Sequence, residues 1–110
     1  MKHSLQIEFE EEAMEFVNSL SQQTRDKLFV LISRTQAGIE GPWFKKLRGQ
    51  QNLYEFRLAA DSTWYRLFAF YSKEKKSLLI CINGFQKKQN ETPKQEILKA
   101  EKLRKFYGGG

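Results

Sequence analysis

The sequence predicts an α+β fold in the order β-α-α-β-β-β-α: a small twisted, mainly antiparallel sheet with helices packed on one face. Three observations lead there. Apolar residues recur at helical spacing early in the chain and again near its end. Between those segments lie three apolar runs of strand length, separated by breaks short enough for hairpins. Within its 110 residues there is no internal repeat and no linker, so residues 1–107 read as one domain.

Leu5 to Phe9, "LQIEF", alternates apolar and polar residues and reads as the first strand. From Glu11 the period changes. Phe9, Ala13, Phe16, Val17 and Leu20 share one helical stripe, and the acidic first turn suits a helix N-terminus. Ser21 can cap a second helix that runs to about Ala37, where Gly38 supplies a stop. Within it, Leu28 to Ile32, "LFVLI", is apolar around most of the circumference and predicts heavy packing. Gly38 to Gln51 reads as a loop. Leu53 to Ala60, Thr63 to Ser72 and Ser77 to Ile82 form a meander, joined around Asp61-Ser62 and Lys73 to Lys76. Thr92-Pro93 opens the last helix, with Thr92 and Gln95 as a capping pair and Pro93 at the first helical position. Ile97, Ala100, Leu103 and Tyr107 share its apolar face. Gly108 to Gly110 cannot hold a helix and read as a loose tail.

Composition narrows the class. Hydrophobic content of 40% with 29% charged residues is that of a folded globular chain rather than a disordered one. Cys81 is the only cysteine, which excludes an internal disulfide. With no signal peptide, this predicts a cytoplasmic setting. No apolar segment is long enough to span a bilayer. The net charge of +6 is segregated: residues 1–22 carry −4 and residues 23–110 carry +10. A basic body with an acidic end suits a polyanion partner, and a solubilising surface is the competing reading.

The absences matter as much. His3 is the only histidine, so neither a histidine-based triad nor a zinc site can be built, and no metal site is expected. There is no phosphate-cradling glycine motif and no paired carboxylate on the basic body. What remains is cationic and aromatic. "WFKKLRG" places Lys45, Lys46 and Arg48 beside Trp43 and Phe44. "LYEFRLA" sets Glu55 and Arg57 on one side of its strand, and "WYRLFAFY" sets Arg66 on one side with Trp64, Phe68 and Phe70. Lys87 and Lys88 follow the third meander strand. Solvated loops explain the lysines alone, and a Glu55–Arg57 surface pair would contribute little. Arg66 is harder to dismiss, because a mid-strand arginine among aromatics needs an open polar face or a carboxylate, for which Glu55 is the natural candidate. Together these residues predict a helix-free sheet face where cations meet a phosphate backbone and rings meet bases.

"KKLRGQQNLYEFRL", "YRLFAFY" and "INGFQKKQNETPKQEILKA" resemble the RelE/ParE superfamily of type II toxins, in its phage-derived HigB-like branch. The resemblance covers most of the chain and is strongest from Lys45 to Ala100. It implies a RelE-like sheet flanked by helices, and a ribosome-dependent mRNA endonuclease restrained by a cognate antitoxin. The implied partners are the ribosome and mRNA, with no cofactor and no membrane. Arg66 matches the arginine that faces the scissile phosphate in RelE-type members, Arg57 matches a basic residue of the preceding strand, and Lys87 or Lys88 is nearest to a third cation. Glu55 stands where well-studied members carry a lysine, and no tyrosine follows shortly after the Gly-Phe turn.

Such a toxin would cleave RNA without metal, through attack of the 2′-hydroxyl on the scissile phosphate. Arg66 and Arg57 would steady the charge on that phosphate, and Lys46 or Lys87 would supply a proton. Glu55 is either a base or a brace for an arginine, with bracing the preferred role. Lys45, Arg48 and Lys88 would contact the RNA. Two alternatives stay open: a ParE-like topoisomerase (gyrase) inhibitor without nuclease activity, and a non-catalytic nucleic-acid-binding module.

Overall fold

The computed structural model describes residues 5–87 and 93–109. Its elements are β1 (Gln6–Phe9), α1 (Glu11–Ser19), α2 (Gln22–Gln36), β2 (Phe44–Lys46), β3 (Tyr54–Ala60), β4 (Thr63–Tyr71), β5 (Leu78–Lys87) and α3 (Lys94–Phe106). One five-stranded sheet has the order β1-β5-β4-β3-β2. Only β1 pairs in parallel, against β5, so the α+β class and the mainly antiparallel sheet hold. No helix among the described residues is long and apolar enough to cross a membrane.

Alternation along the meander splits the core in two. Phe56, Leu58, Leu67, Ala69, Leu79 and Cys81 face α1 and α2, which contribute Ala13, Val17, Leu28 and Ile32. Leu53, Phe68, Phe70, Ile80 and Ile82 point the other way, against Ala100, Ile97 and Leu103 of α3 and Tyr107 just past its end. The helices therefore do not all share one face. The rings of Phe68 and Phe70 would otherwise lie in water, and α3 carries the apolar stripe that removes them from it.

Local signals explain most boundaries. Ser21 Oγ accepts from the Thr24 amide at 3.2 Å and starts α2. Arg25 donates to the Val17 and Leu20 carbonyls at 3.2 and 2.8 Å, which ties the end of α1 to α2. Gly38 has φ of 83° just past α2, as the helix stop requires. Asp61 and Ser62, with φ of 52° and 62°, make a two-residue turn whose left-handed backbone matches the strand twist.

Five expectations change. The stretch read as a loop holds β2, which runs along the edge of β3. β5 continues past Ile82 through Asn83-Gly84, because the ring of Phe16 packs where a Cβ on Gly84 would sit, 2.3 Å from Cδ2. Within Leu28 to Ile32 only the two end residues, Leu28 and Ile32, are buried, while Phe29 and Val30 are exposed. The glycine tail is held at Gly109. Gly109 is buried, donates to the Arg104 carbonyl at 2.8 Å, and accepts from Asn52 Nδ2 at 3.0 Å. Pro93 caps α3 rather than entering it, and Thr92 of the expected capping pair lies outside the described residues.

Candidate nucleic-acid interface

The tight Asp61-Ser62 turn sets the register of β3 on β4, pairing Arg57 directly with Arg66 and Glu55 with Phe68. Directly paired residues share a sheet face, so Glu55, Arg57, Trp64 and Arg66 lie together. The row extends both ways. On β2, Lys45 pairs with Glu55, and on β5, Phe85 pairs with Arg66. This is the face on which α3 packs, with the arginines toward the hairpin end and Phe68 and Phe70 toward the helix.

Two like charges side by side across a hairpin repel one another. Glu55 offsets this. Its Oε1 lies 3.5 Å from Arg57 Nε and 3.6 Å from Arg66 Nε, so a single carboxylate bridges both guanidiniums. The three differ in depth: the Arg66 side chain is 1% exposed, that of Glu55 8% and that of Arg57 27%. The Arg66 guanidinium also stands 5.3 Å from the ring centroid of Trp64, a cation–π contact. Burial lowers the pKa of Arg66, Glu55 opposes that change, and Arg57 adds to it. An arginine remains ionised throughout the physiological range, so the cost of burying it is met by Glu55 and the indole.

Arg66, Arg57 and Glu55 meet as the sequence suggests, and both arginines share one face. They do not both lie open. Arg66 is sealed beneath the surface because its strand is central, flanked by β3 and β5. Lys45 is exposed on the same face. Lys46, expected beside the reacting phosphate, pairs with Tyr54 and so takes the opposite face, since neighbours on a strand point opposite ways. Arg48 is exposed in the turn between β2 and β3, away from the row. The Lys87 backbone pairs with Trp64, and Lys88 lies outside the described residues.

Asn83 is a residue that sequence reasoning passed over. Its Asn-Gly context suggests a turn, but it sits in β5 opposite Phe68, beside a bulge, and is fully buried. Neither its Oδ1 nor its Nδ2 has a hydrogen-bond partner among the described residues. A cleft of about 770 Å³ lies elsewhere, between the end of α2, the Ile39–Pro42 loop, Phe44 and Tyr71. A shallower one, of about 340 Å³, borders Arg57 and Trp64 and reaches Pro42 and Trp43. Arg57 borders the second region, whereas the larger cleft contains neither arginine and has Lys45 at its edge.

The sequence profile of a family described as "phage derived protein Gp49-like (DUF891)" matches residues 15–105. No curated protein matches the chain. Among solved structures, a mutant of the Escherichia coli toxin RelE in the free state is similar at 20% identity and a TM-score of 0.60, covering 94% of this chain and 97% of that one. The same toxin in complex with an antitoxin RelBc peptide gives 21% identity and a TM-score of 0.57, covering 89% and 94%. The archaeal RelE–RelB complex from Pyrococcus horikoshii gives 14% and 0.52, covering 80% and 99%.

Proposed function

Since the chain belongs to the phage-derived Gp49-like family and has the RelE fold, we propose that it is the toxin of a type II toxin–antitoxin pair. Its activity is metal-independent cleavage of mRNA on the ribosome. The observation that carries this reading is the pairing of Arg57 with Arg66 across one hairpin, on one face, with exposed Lys45 paired to Glu55 on the neighbouring strand.

RNA cleavage by 2′-hydroxyl attack concentrates negative charge on the phosphate in flight. Two guanidiniums set side by side can grip its oxygens in parallel forks and keep their charge throughout. Lys45, rather than Lys46, adds a third cation on that face. Trp64 offers a ring beside the arginines on which a base can stack, while the Phe85 ring packs against Phe68. Solved relatives of the fold are complexes with the antitoxin RelB, and an acidic or amphipathic antitoxin segment suits the basic surface of this chain.

Induction in cells with mapping of mRNA 5′ ends tests the reading. Cuts inside translated codons are expected, and they should vanish when translation is blocked. Intact messages during growth arrest would overturn it.

A further inference from the structure

Resting on that reading, we propose that Glu55 is a built-in occupant of the phosphate seat. Its carboxylate holds the free protein closed, and an RNA phosphate engages both arginines by displacing it.

The geometry is that of a substrate mimic. One oxygen of Glu55 lies 3.5 and 3.6 Å from the Nε atoms of two guanidiniums that are direct cross-strand partners. A carboxylate and a phosphate present the same kind of oxygen pair to an arginine fork, so one ligand stands where the other would bind. Both cannot be there together. Arg66 is 1% exposed and Glu55 8%, so the carboxylate and the guanidinium are covered together, and a phosphate that reaches Arg66 must open that cover as well as take the place of Glu55. A phosphate beside the retained carboxylate would also meet its negative charge at short range, in a medium that screens poorly. Binding is therefore an exchange of anions.

The structure also offers the displaced carboxylate a destination. Lys45 is the direct partner of Glu55 on β2, on the same face, and is exposed. Turning from the buried Arg66 toward the Lys45 ammonium lets Glu55 leave the seat without losing a cationic neighbour. The latch lowers affinity for any isolated phosphate, and so favours RNA that other contacts already hold in place.

A permanent brace makes the opposite prediction, so binding separates the two. The probe is a single-stranded RNA oligonucleotide with 2′-O-methyl riboses, which cannot be cleaved, measured by fluorescence anisotropy. Glu55→Gln is expected to bind roughly tenfold more tightly than wild type, the factor recovered when a state populated one part in ten becomes the main one. Glu74→Gln, an equal change of charge in the exposed turn after β4, should change affinity far less. Equal or weaker binding by folded Glu55→Gln, or an equal gain from Glu74→Gln, overturns the latch. Arg57→Ala separates the two levels of the claim. If it leaves RNA affinity unchanged, RNA does not use this face, and the functional reading falls as well. If it weakens binding while Glu55→Gln gains nothing, the reading stands and the latch alone falls. Should Glu55→Gln not fold, the carboxyl carbon resonance of Glu55 in the wild-type protein decides: it moves on saturation with the RNA if the carboxylate is displaced, and its constancy would overturn the latch.

Discussion

The Glu55–Arg66 contact yields a prediction in which stability and activity separate. At 3.6 Å and an effective dielectric of about 20, their attraction is about 4–5 kcal/mol. Removing Arg66 alone loses that term and strands a nearly buried carboxylate, for which the usual cost is about 3–5 kcal/mol. Arg57 remains beside Glu55 and still offsets part of its charge, so Arg66→Met should cost about 3 kcal/mol, the lower end of that range. The double variant Glu55→Leu with Arg66→Met removes both buried charges and leaves Arg57, about a quarter exposed, to water. Its stability should return to within about 1 kcal/mol of wild type or exceed it, as buried ion pairs replaced by apolar residues commonly do. Urea denaturation followed by circular dichroism measures both. Growth arrest on induction should be lost in both variants, because the double variant restores the fold without restoring the guanidinium. Wild-type stability in Arg66→Met would refute the claim that the pair is buried and coupled. Full toxicity in the stable double variant would remove Arg66 from the chemistry.

Three further outcomes follow from single sites. Asn52 holds the end of β4 and the glycine tail through bonds to both the N–H and the C=O of Tyr71 and to the Gly109 carbonyl, with φ of 49°. Asn52→Ala should cost about 4 kcal/mol in urea unfolding, about 1 for each of the three lost bonds and about 1 for the imposed backbone strain, and Asn52→Gly should cost less because it avoids the strain. Ser62→Gly should stabilise the protein by about 0.5–1 kcal/mol, because Ser62 is held at φ of 62° in the hairpin turn; any loss of stability would contradict that geometry. Complete burial raises the pKa of Cys81, and burial with the proximity of Tyr54 raises that of Tyr71. Both groups hold their protons more tightly when folded. Stability should therefore be full below pH 9 and fall as pH rises past the ordinary values of 9.0 and 10.0, by up to about 1.4 kcal/mol per pH unit for each group. Urea midpoints from pH 8 to 11 check this, and Cys81→Ala should delay the onset.

Much of the fold is legible because its signals are local. The Ser21 cap, the Gly38 stop and the Asp61-Ser62 turn each act within a few residues, and the structure places all three where the chain suggests. What escapes is decided at a distance. Phe44–Lys46 has no alternation of its own and becomes a strand only because the edge of β3 is there to pair with. Asn83-Gly84 would be a turn in isolation, yet the ring of Phe16, from the other end of the chain, makes glycine in a strand the better fit. The glycine tail docks because Asn52, far away in sequence, donates to it.

The site divides along the same line. Strand periodicity states which face a side chain takes, so the company of Glu55, Arg57 and Arg66 can be read from spacing once the hairpin is in place. It also shows that adjacent lysines cannot both serve one face, but only the register with β3 says that Lys45 is the one on the arginine side. Depth is another matter. No local pattern distinguishes an arginine on an open groove from one enclosed by neighbouring strands, because that depends on which elements flank it and what their side chains cover. A charge carried on a central strand must bring its counterion into the fold with it. The carboxylate two residues before Arg57 is that counterion, and its presence where the implied chemistry would call for a cation is the one hint of closure that the chain itself carries.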